Sequence, residues 1–357
     1  MSSFAVTVEE IAVHPHPNAD RLELAQVGGY RAVVAKGAYT SGEFAVYIPE
    51  QAVLPDTLIA ELGLTGKLAG KGRNRVKAVR LRGELSQGIV CRPQVLADRD
   101  LAALAAERVD LAETLSIVKW VPPVPVSMSG RAEPAAELLR WDDIENIKRY
   151  PNMFAAGEPV VATEKVHGTC GQFTYLRDTG TLLVTSKGLG AQRLALVADE
   201  SNLYWRAART YELEGVAAAL AEELGAVRLG LFGEIYGSGI QDLSYCREPG
   251  DVGFALFDLA YDPGDGSQRF VDAAALTELV SDRLPTVPLL YTGPYDESAL
   301  WRTATGREQL SGTESHLREG LVVRAACERR SPLTGGRAVA KFVTEEYLTR
   351  TGGTEYE

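Results

Sequence analysis

Cysteine is scarce: Cys91, Cys170, Cys246 and Cys327 are the four in 357 residues, and no two share C-x-x-C spacing. That argues against a zinc site and against a disulfide framework. No run of 18 apolar residues occurs, so no membrane-spanning helix and no membrane partner are expected. The opening Met1-Ser2-Ser3-Phe4 carries neither a basic nor an apolar segment, so secretion is not expected and a reducing cytoplasm is. The β-α-β alternation with G-x-G-x-x-G that marks a dinucleotide-binding domain is missing, as are internal repeats and low-complexity tails. Positive charge is also short, with a formal net charge of −11, which at first argues against a nucleic-acid partner.

The distribution of charge says more than its sum. Lys67, Lys71, Arg73, Arg75, Lys77, Arg80 and Arg82 follow one another with no acid between them. Such a run either holds phosphates or forms a solvated loop. At 45% hydrophobic and 24% charged residues the composition is that of a globular protein, and the length suffices for two domains with separate cores.

Residues 1 to about 115 read as short strands. Phe4–Val8, Arg31–Ala35, Phe44–Ile48 and Gly88–Cys91 are β-branched or aromatic and bounded by Gly, Pro or Asp. Strands at this spacing suggest a small barrel. Asp100 to Leu111 has helical spacing at Leu101, Leu104 and Val109. Val121-Pro122-Pro123-Val124-Pro125 and Ser127–Gly130 then read as an extended linker. The expected division is a module at 1–118, a linker and lead-in carrying Trp141 at 119–149, and a second domain at 150–357. In the latter, Leu213, Val216, Leu220 and Leu224 mark one helix, stopped by Gly225, and Val271, Leu276, Leu279 and Val280 another.

The second domain holds charges in unusual places. Lys165 follows the β-like run Glu158–Ala162 and stands among Val160, Val161 and Val166. Apolar surroundings would favour the neutral, nucleophilic amine, and Gly168 would let a phosphate approach the backbone. A surface lysine on a hairpin is the ordinary alternative. Glu234 shares a strand face with Phe232 and Tyr236; it either holds a ribose hydroxyl or divalent metal, or is an edge-strand charge. Glu319 precedes the apolar Gly320–Val323, and Lys341 lies inside Ala338–Phe342. A hard cation takes few carboxylates plus phosphate oxygens and water, which makes Glu319 the first metal candidate and Glu234 the second. His167 either contacts phosphate or fills a turn.

Taken in order, Thr163-Glu164-Lys165-Val166-His167-Gly168-Thr169, Ser186-Lys187-Gly188, Leu231–Gly237, Phe254–Leu259, Arg318–Val323 and Ala338–Phe342 resemble the nucleotidyltransferase motifs of covalent ligases and capping enzymes. The K-V-H-G form is similar to the RNA ligase 2 family, and the resemblance covers roughly residues 155 to 345. His16–Leu22 with Leu81–Gly88 resembles the OB-fold modules of tRNA-binding proteins; His16, Pro17 and Asn18 alternatively make only a turn. An OB-like module ahead of such a core looks like the Deinococcus-type RNA ligases.

The resemblance implies an α+β protein, with an N-terminal OB-like β-barrel followed by an adenylyltransferase domain of antiparallel sheets flanked by helices. It implies attack by Lys165 on the α-phosphate of ATP, with Mg²⁺ or Mn²⁺, giving lysyl-AMP. Transfer of AMP to a 5′-phosphate would follow, then sealing by a 3′-hydroxyl, on nicked RNA-containing duplexes. Glu164, Val166, His167, Gly168, Lys187, Glu234, Phe257, Glu319 and Lys341 would bind the nucleotide. Phe257, rather than Phe254, would stack on the adenine, and Lys341 would neutralise the α-phosphate. Nucleic-acid contacts are expected from Lys71, Arg73, Arg75, Lys77, Arg80 and Arg82.

The sequence departs from the pattern twice. Cys170 stands where many relatives have Asn, and Val339 takes the first place of the usual K-x-K, with Arg337 the nearest cation upstream. Too few residues follow Lys341 for the C-terminal OB domain of DNA ligases and capping enzymes, which, together with His167, disfavours both. A binding protein whose transferase core has lost activity is the alternative from another class. Intact Lys165, Glu234, Glu319 and Lys341 argue against it, because charges in apolar strands are costly.

Overall fold

The structure, a computed structural model, describes residues 4–121, 124–141, 143–280 and 282–351. It divides into two compact units: Ser2–Pro122 with Ile147–Pro151 and Leu348–Glu357, and Pro123–Asn146 with Asn152–Tyr347. The first unit is built of short antiparallel strands. Thr7–Glu10, Phe44–Ile48 and Ile89–Cys91 form one sheet, Ala12–Pro15, Leu22–Val27 and Tyr30–Ala35 a second, and Val79–Leu81 with Glu84–Ser86 a hairpin. Period-2 alternation in Phe44–Ile48 feeds two cores. Ala45 and Tyr47 pack with Ile11, Ala25, Ala32 and Val90, while Val46 and Ile48 pack with Val6, Val8, Leu58 and Leu104. The latter two lie on the helices Asp56–Glu61 and Leu101–Ala106, which cover that face.

Asp100 caps the second of these helices, accepting from the Ala103 N–H. The helix ends at Ala106 rather than near Leu111, because Arg108 takes the left-handed conformation (φ 53°).

The second unit holds two five-stranded sheets. One runs, in spatial order, Glu145–Asn146, Val339–Val343, Gly320–Ala325, Pro159–Glu164 and Leu289–Pro294; the other runs Thr181–Ser186, Thr169–Leu176, Arg228–Tyr236, Gly253–Asp262 and Arg269–Phe270. All neighbours are antiparallel except Glu145–Asn146, which runs parallel to Val339–Val343. Both expected helices form, as Leu213–Glu223 and Ala273–Val280, and Gly225 (φ 61°) follows the first. Leu213, Ala217, Leu220 and Ala221 bury one helix face against the second sheet's core. Each leucine contributes about 1.5–3 kcal/mol.

The expected linker at 119–149 is corrected. Val118–Lys119 pairs with Ala52–Val53 in the first unit. Beyond residues 122 and 123, which lie outside the described set, the chain packs as part of the second unit. Met128 enters its main core, Ala132–Pro134 pairs with Leu194–Leu196, and Leu138, Leu139 and Trp141 are buried. Apolar side chains every few residues gave this stretch something to bury, and its prolines did not prevent that. Residues 348–351 belong with the first unit, so the second ends at Tyr347.

Candidate active site

Lys165 stands where the chain leaves one sheet for the other. Pro159–Glu164 belongs to the first, Thr169–Leu176 to the second, and residues 165–168 make the crossing. Two glycines make the approach possible. A Cβ at Gly168 would lie 2.2 Å from the Ile235 carbonyl oxygen, and one at Gly320 would lie 1.7 Å from that of Phe342. Gly168 is therefore required by the chain's own packing, a reason independent of the expected approach of a phosphate.

The Lys165 backbone N–H donates to the Gly320 carbonyl at 3.0 Å, and its Nζ lies 2.6 Å from Glu319 Oε1. The expected apolar setting of this amine is corrected. Val160, Val161 and Val166 are buried in cores, whereas the lysine side chain is 24% exposed and ion-paired. Burial works against the Glu319 charge, but Lys165 and the neighbouring His167 outweigh it and hold the carboxyl well below the usual range. Its second oxygen, Oε2, is buried without a hydrogen-bond partner.

Glu234 lies across the ladder from Cys170. Burial pushes its carboxyl up to about 7 against the pull of Lys165, with Glu319 adding to the rise. Lys341 is half-buried; desolvation, then repulsion from Lys165 and Lys187, brings its ammonium down to about 8. Lys187 opens the helix Lys187–Ala191, which Ser186 caps, and pairs with Asp143. Burial opposes its charge, yet Asp143 and further anionic neighbours hold it above the ordinary lysine range. Three lysines and two glutamates thus share one electrostatic neighbourhood.

The remaining expected residues divide. Phe257 is half-buried and tilts against Trp141 with ring centroids 4.8 Å apart, while Phe254 is sealed in the core between Phe173 and Tyr211. Of the two, only Phe257 keeps part of its surface exposed. Glu164 turns away from Lys165: it accepts from the Gln309 N–H at 2.7 Å, and Arg318 lies 3.7 Å off. Burial raises it to about 7. Val166 packs with Tyr236, Tyr245, Ala255 and Val287. These two expected nucleotide contacts are corrected to structural roles, because successive residues at a strand end point to opposite sides. Val339 is buried. Arg337 does not take over the missing lysine's place: its guanidinium binds Asp258 at 2.6 Å and Glu328 at 2.8 Å, over the Phe270 ring.

His167 is buried, and sequence reasoning missed its partners. Its N–H donates to the Tyr245 hydroxyl at 2.7 Å, its Nδ1 lies 2.7 Å from Tyr347 Oη, and its Nε2 accepts from the Asp242 N–H at 3.3 Å. Asp143 and Trp141 were also unassigned; a tryptophan followed directly by two acids was the only hint.

In the first unit, Arg75 is corrected as a nucleic-acid contact. It is 3% exposed, with its guanidinium 4.0 Å over the Trp120 ring. Lys71, Arg73, Lys77, Arg80 and Arg82 are exposed. His16 and Asn18 clip the hairpin beside them, bonding to the Leu81 and Arg82 carbonyls at 3.1 Å each. His16 is thus more than a simple turn residue.

Among solved structures, an RNA ligase from Naegleria gruberi aligns over 97% of this chain and 98% of its own, at 23% identity and TM-score 0.76, in a form with pyrophosphate. A variant of that protein with AMP and manganese aligns at TM-score 0.77, 23% identity and the same coverage. Another variant, with ATP and manganese, aligns at TM-score 0.76 and 23% identity over 96% of this chain and 98% of that one. At this identity the likeness establishes the fold. No curated protein matches the chain. A family model described as an OB-fold domain matches residues 5–93, so the first unit is an OB fold. A model described as RNA ligase matches residues 158–343, more than half of the chain and all six motif segments, and the chain belongs to the RNA ligase family.

Proposed function

We propose that this chain is an ATP-dependent RNA ligase that seals nicks between a 3′-hydroxyl on an RNA-ended strand and a 5′-phosphate, the task that a Deinococcus-type arrangement implies. One observation carries the reading: the Lys165 amine stands 2.6 Å from Glu319, inside a neighbourhood shared with Glu234, Lys187 and Lys341. Deprotonated, the amine attacks the α-phosphorus of ATP; an N–P bond forms, the bond to the β-phosphate oxygen breaks, and pyrophosphate leaves. The AMP then passes to a 5′-phosphate, and a 3′-hydroxyl displaces it. Such chemistry asks the protein chiefly for positioning and for charges aimed at the phosphates. Lys341 and Lys187 supply positive charge, and the half-exposed Phe257 supplies a face for the base.

The residues fit a divalent cation. Glu319 Oε2 is a buried oxygen without a partner, and Glu234, held up to about 7, would regain its charge beside one. Among the described residues no cluster of three or more His, Cys, Asp or Glu could enclose a metal. That suits a Mg²⁺- or Mn²⁺-type ion, which takes one or two carboxylates and completes its shell from phosphate and water. Glu319 and Glu234 would hold it, and it would withdraw charge from the phosphate oxygens. The first unit contributes nucleic-acid contacts through Lys71, Arg73, Lys77, Arg80 and Arg82.

The test is covalent labelling of the full chain with α-labelled ATP and Mg²⁺ or Mn²⁺, followed by sealing of a duplex nicked after a ribonucleotide. Label that survives denaturation and pyrophosphate release support the reading. A folded chain that takes no label with either metal defeats it and leaves an RNA-binding protein with an inactive core.

A further inference from the structure

Leu139, Arg140 and Trp141 belong to no strand, yet side chains hold their peptide groups one by one. Thr174 Oγ1 accepts the Leu139 N–H at 3.1 Å. The Gln268 amide accepts the Arg140 N–H at 3.0 Å and donates to the Arg140 carbonyl at 2.6 Å. The Gln172 amide does the same for Trp141, at 3.4 and 3.0 Å. Side chains thus take the place of a partner strand in satisfying this backbone. The indole is tethered too: its Nε1 donates to Asp258 Oδ2 at 2.7 Å. Trp141 is therefore fixed at both backbone and ring, with 9% of its surface exposed.

The same indole tilts against Phe257, with ring centroids 4.8 Å apart at 60°. In a regular strand Phe257 and Asp258 would point to opposite faces, and one ring would not meet both. Here the pairing with the neighbouring strand slips. Phe232 pairs with Asp258 and Gly233 with Leu256, which leaves Phe257 as the extra residue of a β-bulge. A bulge re-aims a side chain, and this one brings Phe257 and Asp258 to a single indole. Phe257 also packs on the cluster that holds Val166, from the turn of Lys165. Its half-buried ring therefore links that turn to the tethered tryptophan. Trp141 itself has little surface left for a ligand, so its effect on one passes through Phe257.

We propose that Trp141 is a positioning residue for nucleotide binding: it backs the Phe257 ring and holds the ring's open part for the nucleobase, without touching the base. This rests on the proposed role of Phe257 as the face for the base. Its loss should show in affinity for the base and not in the chemistry at Lys165. The first arm is single-turnover labelling of the full chain by α-labelled ATP with Mg²⁺. Trp141→Phe should raise the half-saturating ATP concentration roughly tenfold, the scale of one stacked aromatic contact, with the rate at saturation within about twofold of the wild type. Inhibition by inorganic triphosphate, which has no base, should be unchanged, whereas a distorted site would lose both. In a Phe257→Leu background the same substitution should add nothing further. Wild-type half-saturation, triphosphate binding weakened to the same degree, or effects that multiply in the double variant would each overturn the proposal. The second arm needs neither labelling nor a substitution at the site: fluorine spectra of the chain carrying fluorotryptophan. The chain has four tryptophans, Trp120, Trp141, Trp205 and Trp301. The Trp141 signal is assigned by substitution, of the other three if Trp141→Phe does not fold. It should shift with ATP and stay in place with triphosphate; a signal that ignores ATP, or that triphosphate moves as far, overturns the proposal. If ATP moves this signal but leaves no label, the ligase reading fails and this inference stands. If ATP labels the chain and the signal stays, the reverse holds, and ATP that does neither removes both.

Discussion

Asp258 offers the sharpest test of how the second unit is held together. It is wholly buried, and every oxygen is engaged: Oδ1 pairs with Arg324 at 2.9 Å and accepts the Leu259 N–H at 3.0 Å, while Oδ2 accepts from Arg337 at 2.6 Å and from Trp141 Nε1 at 2.7 Å. These partners come from the lead-in, from the strand Gly320–Ala325 and from the approach to Lys341, so one carboxylate ties together the segments around Phe257. Asp258→Asn keeps the shape and removes the charge. Arg324 is then left buried against a neutral amide, and breaking a buried pair in this way costs about 3–5 kcal/mol. At roughly 2–4 °C per kcal/mol for a unit of this size, the second unit should melt about 6–20 °C lower. Burial raises the Asp258 carboxyl, but Arg324 and Arg337 overcome it and hold it below its ordinary value. A group whose folded pKa is depressed stabilises above its unfolded pKa and loses that contribution as pH falls through the folded one. The wild type should therefore lose this stability only in acid, and Asp258→Asn should lack that part of the acid limb. Calorimetry across pH measures both. A loss below about 1 kcal/mol at neutral pH, the scale of an exposed ion pair, would refute the reasoning.

Lys165→Ala should abolish covalent labelling by ATP with the melting temperature little changed; label of wild-type strength on that variant removes Lys165 from the chemistry. Glu319→Ala should lose labelling across a full Mg²⁺ and Mn²⁺ titration, and normal labelling would take the metal away from it. Glu164, raised to about 7 by burial, should make the second unit less stable as pH rises through that value, because a raised carboxyl favours the fold only while protonated. Glu164→Gln should flatten that limb, and an unchanged profile would refute it. In the first unit, replacing Lys71, Arg73 and Lys77 by Ala should weaken nick binding and reduce its log–log salt slope by roughly 0.9 for each phosphate no longer neutralised, with labelling spared. Arg75→Ala should instead destabilise that unit through its packing on Trp120, and a stable variant with a lower salt slope would reverse the assignment.

Much of this was legible because each sheet strand shows its period. Phe44–Ile48 and Arg228–Tyr236 were readable from β-branched and aromatic residues, and Leu213–Glu223 from its apolar face and Gly225. Glu319 and Lys341 were readable as charges beside or inside apolar strands. What failed depends on partners distant in the chain. Arg75 reads as one of seven basic residues, and nothing near it announces Trp120, 45 positions on. The lead-in reads as a linker because its prolines, with Gly130, outweigh the widely spaced Met128, Leu138, Leu139 and Trp141. Glu164 and Val166 inherited a role from their place beside Lys165, although a strand end sends neighbours to opposite sides.

The glycines show how one residue type can be read correctly for an incomplete reason. A glycine after a candidate nucleophile suggests room for a phosphate, and that is how Gly168 reads from the sequence. In the fold its Cα faces the Ile235 carbonyl, and Glu234 Cγ would lie 3.0 Å from a Cβ placed there. Gly320 faces the Phe342 carbonyl in the same way. One glycine lets the crossing chain close onto the strand of Glu234; the other lets the strand that follows Glu319 close onto the strand of Lys341. The residue after Glu319 is in turn joined to Lys165, whose N–H donates to the Gly320 carbonyl. How closely the strands that carry Lys165, Glu234, Glu319 and Lys341 approach one another is thus set by backbone meeting backbone. A site fixed in that way needs little reorganisation when charge moves through it, which is the condition under which electrostatic stabilisation of phosphoryl transfer is most effective.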